Sequence, residues 1–296
     1  FEPVNPHLPM ETNSYILLPT DFSAAAENAL EFAANYARIS NFTVLLFHVS
    51  SLHLGGMREQ DEILSAIELE QIEEEQLAAW KIKAERLYPD VSFELRTSTG
   101  FPVELIRENA GAHGVRLVVM GTKGAHGIGD TLLGSHTANL INRCSCPVLA
   151  VPQQARYTGF DSIVFATDLS TEDHQAIEQL AALFHWGSAS LTLLHIEDRF
   201  GVDAEADMDA WFHPVSASLP TNMNVSKLII RNEDVLQGLH TFLEENKTDL
   251  LVTSARRRNF FERIFDKSVT RQLAQREKTP LLALHAGHHV KSQVIF

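Results

Sequence analysis

The 296-residue chain is about twice a common domain length, and 45% hydrophobic with 21% charged residues suits a globular protein able to fill sizeable cores. The formal charge of −14 is spread as 18 acids to 10 Lys/Arg over residues 10–152 and 19 to 14 over 153–296, which argues against nucleic acid as a partner. No apolar run approaches the roughly 18 residues of a membrane span and no charged-then-apolar leader opens the sequence, so a cytoplasmic protein with no membrane partner is expected.

Residues 1–9 carry three prolines and no periodicity, and read as disordered or as an expression remnant ahead of Met10. Tyr15-Ile16-Leu17-Leu18 reads as a first buried strand. Pro19-Thr20-Asp21-Phe22-Ser23 leads from it into an alanine-rich helix to about Ile39, with Ser23 as N-cap. Thr43 to Val49 is the second strand. An acidic helix from about Gln60 to Leu87 follows, in which Glu68, Glu70, Glu73, Glu74 and Glu75 read as a solvated face. Val91 to Leu95 is a third strand by alternation, Pro102 starts a short helix to about Asn109, and Val115 to Met120 is a buried fourth strand. A helix opening at Gly134–Ser135 and a strand from Pro147 to Val151 complete the series. Strands alternating with helices imply a parallel sheet covered on both faces, with ligands beyond the C-terminal strand ends where the strand order reverses.

Between the fourth strand and its helix lies a loop in which Gly121, Gly124, Gly134 and Ser135 have the spacing G-x2-G-x9-G-S. It is neither a Walker A loop nor a dinucleotide fingerprint. Glycines let backbone N–H groups approach an anion closely, and the helix dipole adds partial positive charge where Gly134, Ser135 and His136 begin the next helix. The chemistry points to a phosphate-bearing ligand, the alternative being a flexible crossover that binds nothing.

The second half repeats the first. Ile16 to Ser23 matches Ile163 to Ser170, and Val44 to Val49 matches Leu191 to Ile196, both at an offset of 147. Leu117-Val118-Val119 matches Leu250-Leu251-Val252, and Cys146 to Val151 matches Thr279 to Leu284, both at 133. The fourteen missing residues fall between His195 and Ser254, most simply in a shortened second helix. Two copies of one α/β domain are expected, at 10–153 and 158–287, joined near Pro152–Phe160 and followed by a tail at 288–296. In the second copy Gly121, Gly124 and Gly134 become Ser254, Arg257 and Lys267. Bulky side chains around Arg256-Arg257-Arg258 remove the close backbone approach, so the nucleotide site is expected in the first copy alone.

The unit from Thr20-Asp21 through the glycine loop to the strand at Pro147 resembles a universal stress protein domain, and the chain resembles a tandem member over residues 12–152 and 158–286. The resemblance implies two Rossmann-like domains of the adenine nucleotide alpha hydrolase kind, each a five-stranded parallel sheet with helices on both faces. It also implies ATP as the ligand. Pro19, Thr20 and Asp21 would line the nucleoside pocket, and Val49 would offer backbone groups to the adenine edge. Met120, Gly121, Lys123 and Gly124 would run beside ribose and phosphates. Gly134, Ser135, His136 and Thr137 would cap the phosphate chain from the helix start, and Mg²⁺ could bridge its oxygens. Many family loops place a cation just after the second glycine. Here Ala125-His126-Gly127 follows, so Lys123 is the one fixed cation of the loop.

Other constellations read as structural. Cys144 and Cys146 form a C-x-C too small for a disulfide framework or a four-ligand zinc site. His48 and His195 match each other at strand ends, which favours a shared hydrogen bond over catalysis. Asp21 has its counterpart, Asp168, in the half without glycines, so it serves the strand-to-helix turn or a ligand. His285-Ala286-Gly287-His288 matches a nucleotidyltransferase signature but follows the wrong strand. The resulting expectation is a regulatory nucleotide-binding protein of the stress response, acting through an unidentified protein partner. A ligand-free interaction scaffold and a slow ATP hydrolase are the competing readings; no positioned base near a γ-phosphate is evident. The last strands of the two copies, Pro147–Val151 and Pro280–Leu284, are expected to pair as an intramolecular pseudo-dimer, with homodimerisation of the whole chain an open alternative.

Overall fold

The computed structural model describes residues 14–50, 59–112, 114–122, 135–184, 189–198, 203–217, 219–221, 223–255 and 278–285. The first repeat runs β1 (Tyr15–Thr20), α1 (Ala24–Ser40), β2 (Thr43–Ser50), α2 (Glu59–Leu87), β3 (Phe93–Thr99), α3 (Pro102–Ala110), β4 (Val115–Gly121), α4 (Ser135–Arg143) and β5 (Val148–Val151). The second runs β6 (Ser162–Thr167), α5 (Glu172–Leu183), β7 (Ser190–Glu197), α6 (Ala204–Ser216), β8 (Asn224–Arg231), α7 (Val235–Glu245), β9 (Leu250–Ser254) and β10 (Leu281–Leu284). The expected α/β class holds, with five parallel strands in each repeat. The 29-residue α2 faces a 13-residue counterpart in α6, which is where the shortening was expected.

One sheet of ten strands crosses the molecule in the order β3-β2-β1-β4-β5-β10-β9-β6-β7-β8. Its centre is the antiparallel pair β5·β10, with Leu149 opposite Leu282. Those two residues correspond across the repeat, so a pseudo-twofold axis passes between them. The helices α1, α2, α5 and α6 cover one face and bury their apolar sides in a single core with Ile16, Phe165 and Val252. On the opposite face lie α3, α4 and α7, packed on Leu17, Val118 and Val164. Six buried alanines of α1, Ala25, Ala26, Ala29, Ala33, Ala34 and Ala37, let that helix lie close on the sheet. Its N-cap is Ser23, whose hydroxyl accepts from the Ala26 amide at 3.3 Å.

The repeats also meet through α1, α5 and the linker. The Tyr36 hydroxyl donates to the Leu183 carbonyl, again a pair of corresponding positions. Burial pushes the Tyr36 phenol well above its ordinary pKa. Phe184 lies 5.5 Å from its ring, and Phe32, Tyr157, Phe160 and Phe184 continue the cluster in mostly edge-to-face contacts with ring centroids 5.4–6.3 Å apart. Asn28 of α1 donates to the carbonyls of Pro152 and Ala155 at 2.7 and 3.1 Å, pinning the linker.

Two details differ from the sequence expectation. β3 begins at Phe93 and runs to Thr99, because Arg96 to Thr99 continue the ladder with Phe47 to Ser50 even though they bring no apolar side chain. The acidic face of α2 is not simply solvated: Glu70, Glu73 and Glu74 accept from the hydroxyls of Thr99, Ser50 and Thr97 at the ends of β2 and β3. Among the described residues no helix is long and apolar enough to cross a membrane.

Candidate functional site

Strand order places the candidate residues. β1 lies between β2 and β4; the chain runs outward from β1 through β2 to β3, then crosses back through α3 to β4 on the other side of β1, so the ends of β1 and β4 flank the switch point where open α/β sheets hold ligands. Pro19 and Thr20 close β1, Val49 is the penultimate residue of β2, and Met120 and Gly121 close β4. Ser135 opens α4, followed by exposed His136 and buried Thr137. Lys123, Gly124 and Gly134 lie outside the described residues. Both stems of the glycine loop are fixed. The Thr122 amide donates to the Val151 carbonyl at 3.0 Å, and the Thr137 hydroxyl donates to the Gly121 carbonyl at 3.1 Å. The first turn of α4, with amides that have no partner inside the helix, is therefore held against the end of β4.

Gly121 has a packing reason as well. A Cβ there would stand 2.7–2.8 Å from the backbone and Cβ of Ala25, so the start of α1 presses on the end of β4 where only glycine fits. In the second repeat Ser254 takes this position, and α5 begins at Glu172, one residue later than α1 in the corresponding numbering.

The turn after β1 is built identically in both repeats. The Thr20 hydroxyl accepts from the Phe22 amide at 3.0 Å and Asp21 Oδ1 from the Ser23 amide at 3.1 Å; Thr167 and Asp168 do the same for Leu169 and Ser170 at 2.9 and 3.1 Å. Phe22 and Leu169 accordingly take left-handed φ angles of 60° and 65°, a strain these bonds offset. Asp21 thus has a turn-forming role that its counterpart shares. His48 and His195 also behave alike, each bonding through Nδ1 to a carbonyl, Thr20 at 2.8 Å and Thr167 at 3.1 Å. Phe22 lies over the His48 ring with centroids 4.7 Å apart.

The second repeat differs in charge. Asp173, where the first repeat has Ala26, is buried and accepts from the Thr167 hydroxyl at 2.7 Å and the Asp168 amide at 3.3 Å. Burial, reduced by the Thr167 bond, pushes its carboxyl up from 3.8 to about 6. Buried Glu197 stands where the first repeat has Ser50. Sequence reasoning singled out neither: Asp173, an acid in a first helical turn, reads as an ordinary dipole partner, and Glu197 as the polar end of a strand.

The remaining candidates are structural. Cys144 and Cys146 are free and buried, and burial raises both thiols above their ordinary range, which lowers the share of reactive thiolate. His285 Nε2 lies 2.7 Å from the Ile141 carbonyl and its amide donates to Gln179, so it ties α4 to the second repeat. Among the described residues no cluster of His, Cys, Asp and Glu could hold a metal.

Known proteins share this arrangement. The pattern of the Universal stress protein family matches residues 13–152 and again residues 159–285. This chain belongs to the universal stress protein family. Of single-repeat relatives, universal stress protein MJ0577 of Methanocaldococcus jannaschii is 32% identical over 155 residues, 47% of this chain and 94% of that protein. Universal stress protein A homolog 1 of Coxiella burnetii is 31% identical over 148 residues, 46% of this chain and 94% of its own. A universal stress protein from Archaeoglobus fulgidus has the same tandem fold, with a TM-score of 0.68 at 16% identity over 94% of this chain and 98% of its own. This universal stress protein is therefore a tandem member of its family.

Proposed function

We propose that the protein is a regulatory adenine-nucleotide-binding protein of the stress response, with one ATP site in the first repeat. The observation that carries the reading is the anchoring of the loop stems, which sets the N-terminus of α4 beside Gly121 at the switch point of the sheet. Backbone amides at Ser135 and His136 would meet the phosphates, and the hydroxyl of Thr137 would hold that helix start in place. Gly121, Lys123, Gly124 and Gly134 would supply the close backbone approach and a cation. Pro19, Thr20 and Asp21 would border the nucleoside, Val49 the base edge and Met120 the floor. Mg²⁺ would serve by bridging the phosphate oxygens.

Asp173, which has Ala26 as its counterpart in the first repeat, favours the absence of a phosphate ligand from the second repeat, where it places a carboxylate beside the end of β6. That repeat fits the scaffold role. Calorimetry with Mg²⁺-ATP on the intact chain and on Gly124→Arg, which imports the second repeat's residue, tests the proposal. One site on the intact chain, lost in a folded variant, is the expected result; no binding to the intact protein would overturn it and leave the scaffold reading for both repeats.

A further inference from the structure

The long helix α2 is apolar on two opposite faces, where a surface helix ordinarily has one apolar stripe. Leu77, Trp80 and Ala84 turn to the sheet and are buried in the core of that face. About half a turn away a second stripe faces outward: Glu68, Ile72, Glu75, Ala79, Ile82 and Arg86, spaced 4, 3, 4, 3 and 4. That alternation follows the helical period of about 3.6 residues, so all six share one side of the helix. All six are exposed, Ile72 by 52% and Ile82 by 51%. Neither isoleucine belongs to the core that α2 helps to build, so the fold of the single chain does not require them.

The stripe is complementary to itself. Turned end to end about its midpoint at Leu77, Glu68 exchanges with Arg86, Ile72 with Ile82 and Glu75 with Ala79. Lys81 and Lys83, which flank it, are engaged by Glu85 at 3.5 Å and by Glu27 of α1 at 2.6 Å. Glu68, Glu75 and Arg86 enter no ion pair among the described residues. One end of the stripe thus offers an acid, the other a base, and two half-exposed isoleucines lie between. A second copy of the same helix, antiparallel to the first, presents the matching order, and the contact is then the same patch on both subunits. Ala78 and Ala79 are exposed near the midpoint, where small side chains let two helix axes come to about 8–10 Å.

The surface is confined to the first repeat, because α6 has 13 residues against the 29 of α2 and has no room for such a stripe. It also lies far from the seam between the repeats. α2 packs on β2 and β3 at one edge of the sheet, whereas β5 and β10 pair at its centre, so the two contacts do not compete.

We propose that the outer face of α2 is a homodimer interface, in which two copies of the chain pack antiparallel across a twofold axis near Leu77. Ile72 of each copy meets Ile82 of the other, and Glu68 of each meets Arg86 of the other. This pairing involves no nucleotide and stands apart from the reading of the first-repeat site.

Sedimentation velocity of the full chain without nucleotide, from about 1 to 200 μM in ~0.1 M salt, tests it. A concentration-dependent passage from the mass of one chain to twice that mass is expected. Ile72→Glu should weaken association by at least about tenfold, since each dimer loses that apolar contact twice. The site is exposed in the single chain, so the circular dichroism of the variant should match the native protein. Glu68→Arg sets like charges together at both ends and should weaken the dimer by about tenfold; adding Arg86→Glu restores opposite pairs and should return affinity to within about threefold of the native value. A monomer at every concentration would overturn the proposal and leave the stripe to a partner of different sequence. So would a dimer indifferent to Ile72→Glu, as one formed through the edge of β3 would be, or a Glu68→Arg defect that Arg86→Glu does not repair.

Discussion

Asp173 shows how one side chain can make a fold sensitive to acid in the less familiar direction. Its folded pKa of about 6 lies above the ordinary 3.8, so the native state holds the proton more tightly than the unfolded chain. The associated stability is present in acid and is lost as pH rises between those values. Above about pH 6 a buried carboxylate remains, compensated by Thr167 and the Asp168 amide. Asp173→Asn keeps an acceptor for Thr167 and removes the charge. Urea unfolding should find it more stable than the native chain by ~1–3 kcal/mol at pH 7, with the advantage shrinking toward pH 4. Asp173 was invisible as a special residue in the sequence because its burial depends on where Thr167 ends β6. The same holds for Glu73, which reads as one acid among five until α2 is laid against β2. By contrast, the matched Asp21 and Asp168, and the matched His48 and His195, announced their shared roles through the repeat itself.

At the scale of elements, the contact of α1 with the end of β4 links the strand-to-helix turn to the glycine loop. Gly121→Ala should destabilise the protein by ~1–3 kcal/mol through overpacking against Ala25, measurable as a shift in denaturant midpoint, even with no nucleotide present. A glycine lost to packing and a glycine lost to ligand approach look alike in the sequence, and only the position of Ala25 separates them. Strands were the most legible elements. β1, β2, β4 and β5 are apolar on both faces and announce themselves as buried runs, whereas the last four residues of β3, Arg96 to Thr99, pair at an edge without apolar signal. The loop at 123–134, on which the ligand assignment leans most, is read from its spacing.

Across the whole molecule, the repeats are joined by the ladder of β5 and β10, the Tyr36 bond to Leu183 and the aromatic cluster of the linker. These contacts should hold without the covalent connection. A protease site inserted at the exposed Gln153–Gln154 turn and then cut should leave two fragments that co-elute in size-exclusion chromatography; separation into free halves would show that the linker, and not the interface, keeps them together.

The central pairing of β5 with β10 has a combinatorial consequence. If the two repeats were separate chains of equal mutual affinity, random assembly across a twofold interface would give unlike pairs only about half the time, with the rest divided between the two like pairs. Fusion through residues 152–161 removes that lottery. Every molecule carries one loop with its glycines and one without, in a fixed ratio that neither expression level nor dilution can alter, so each half can specialise while the other remains beside it.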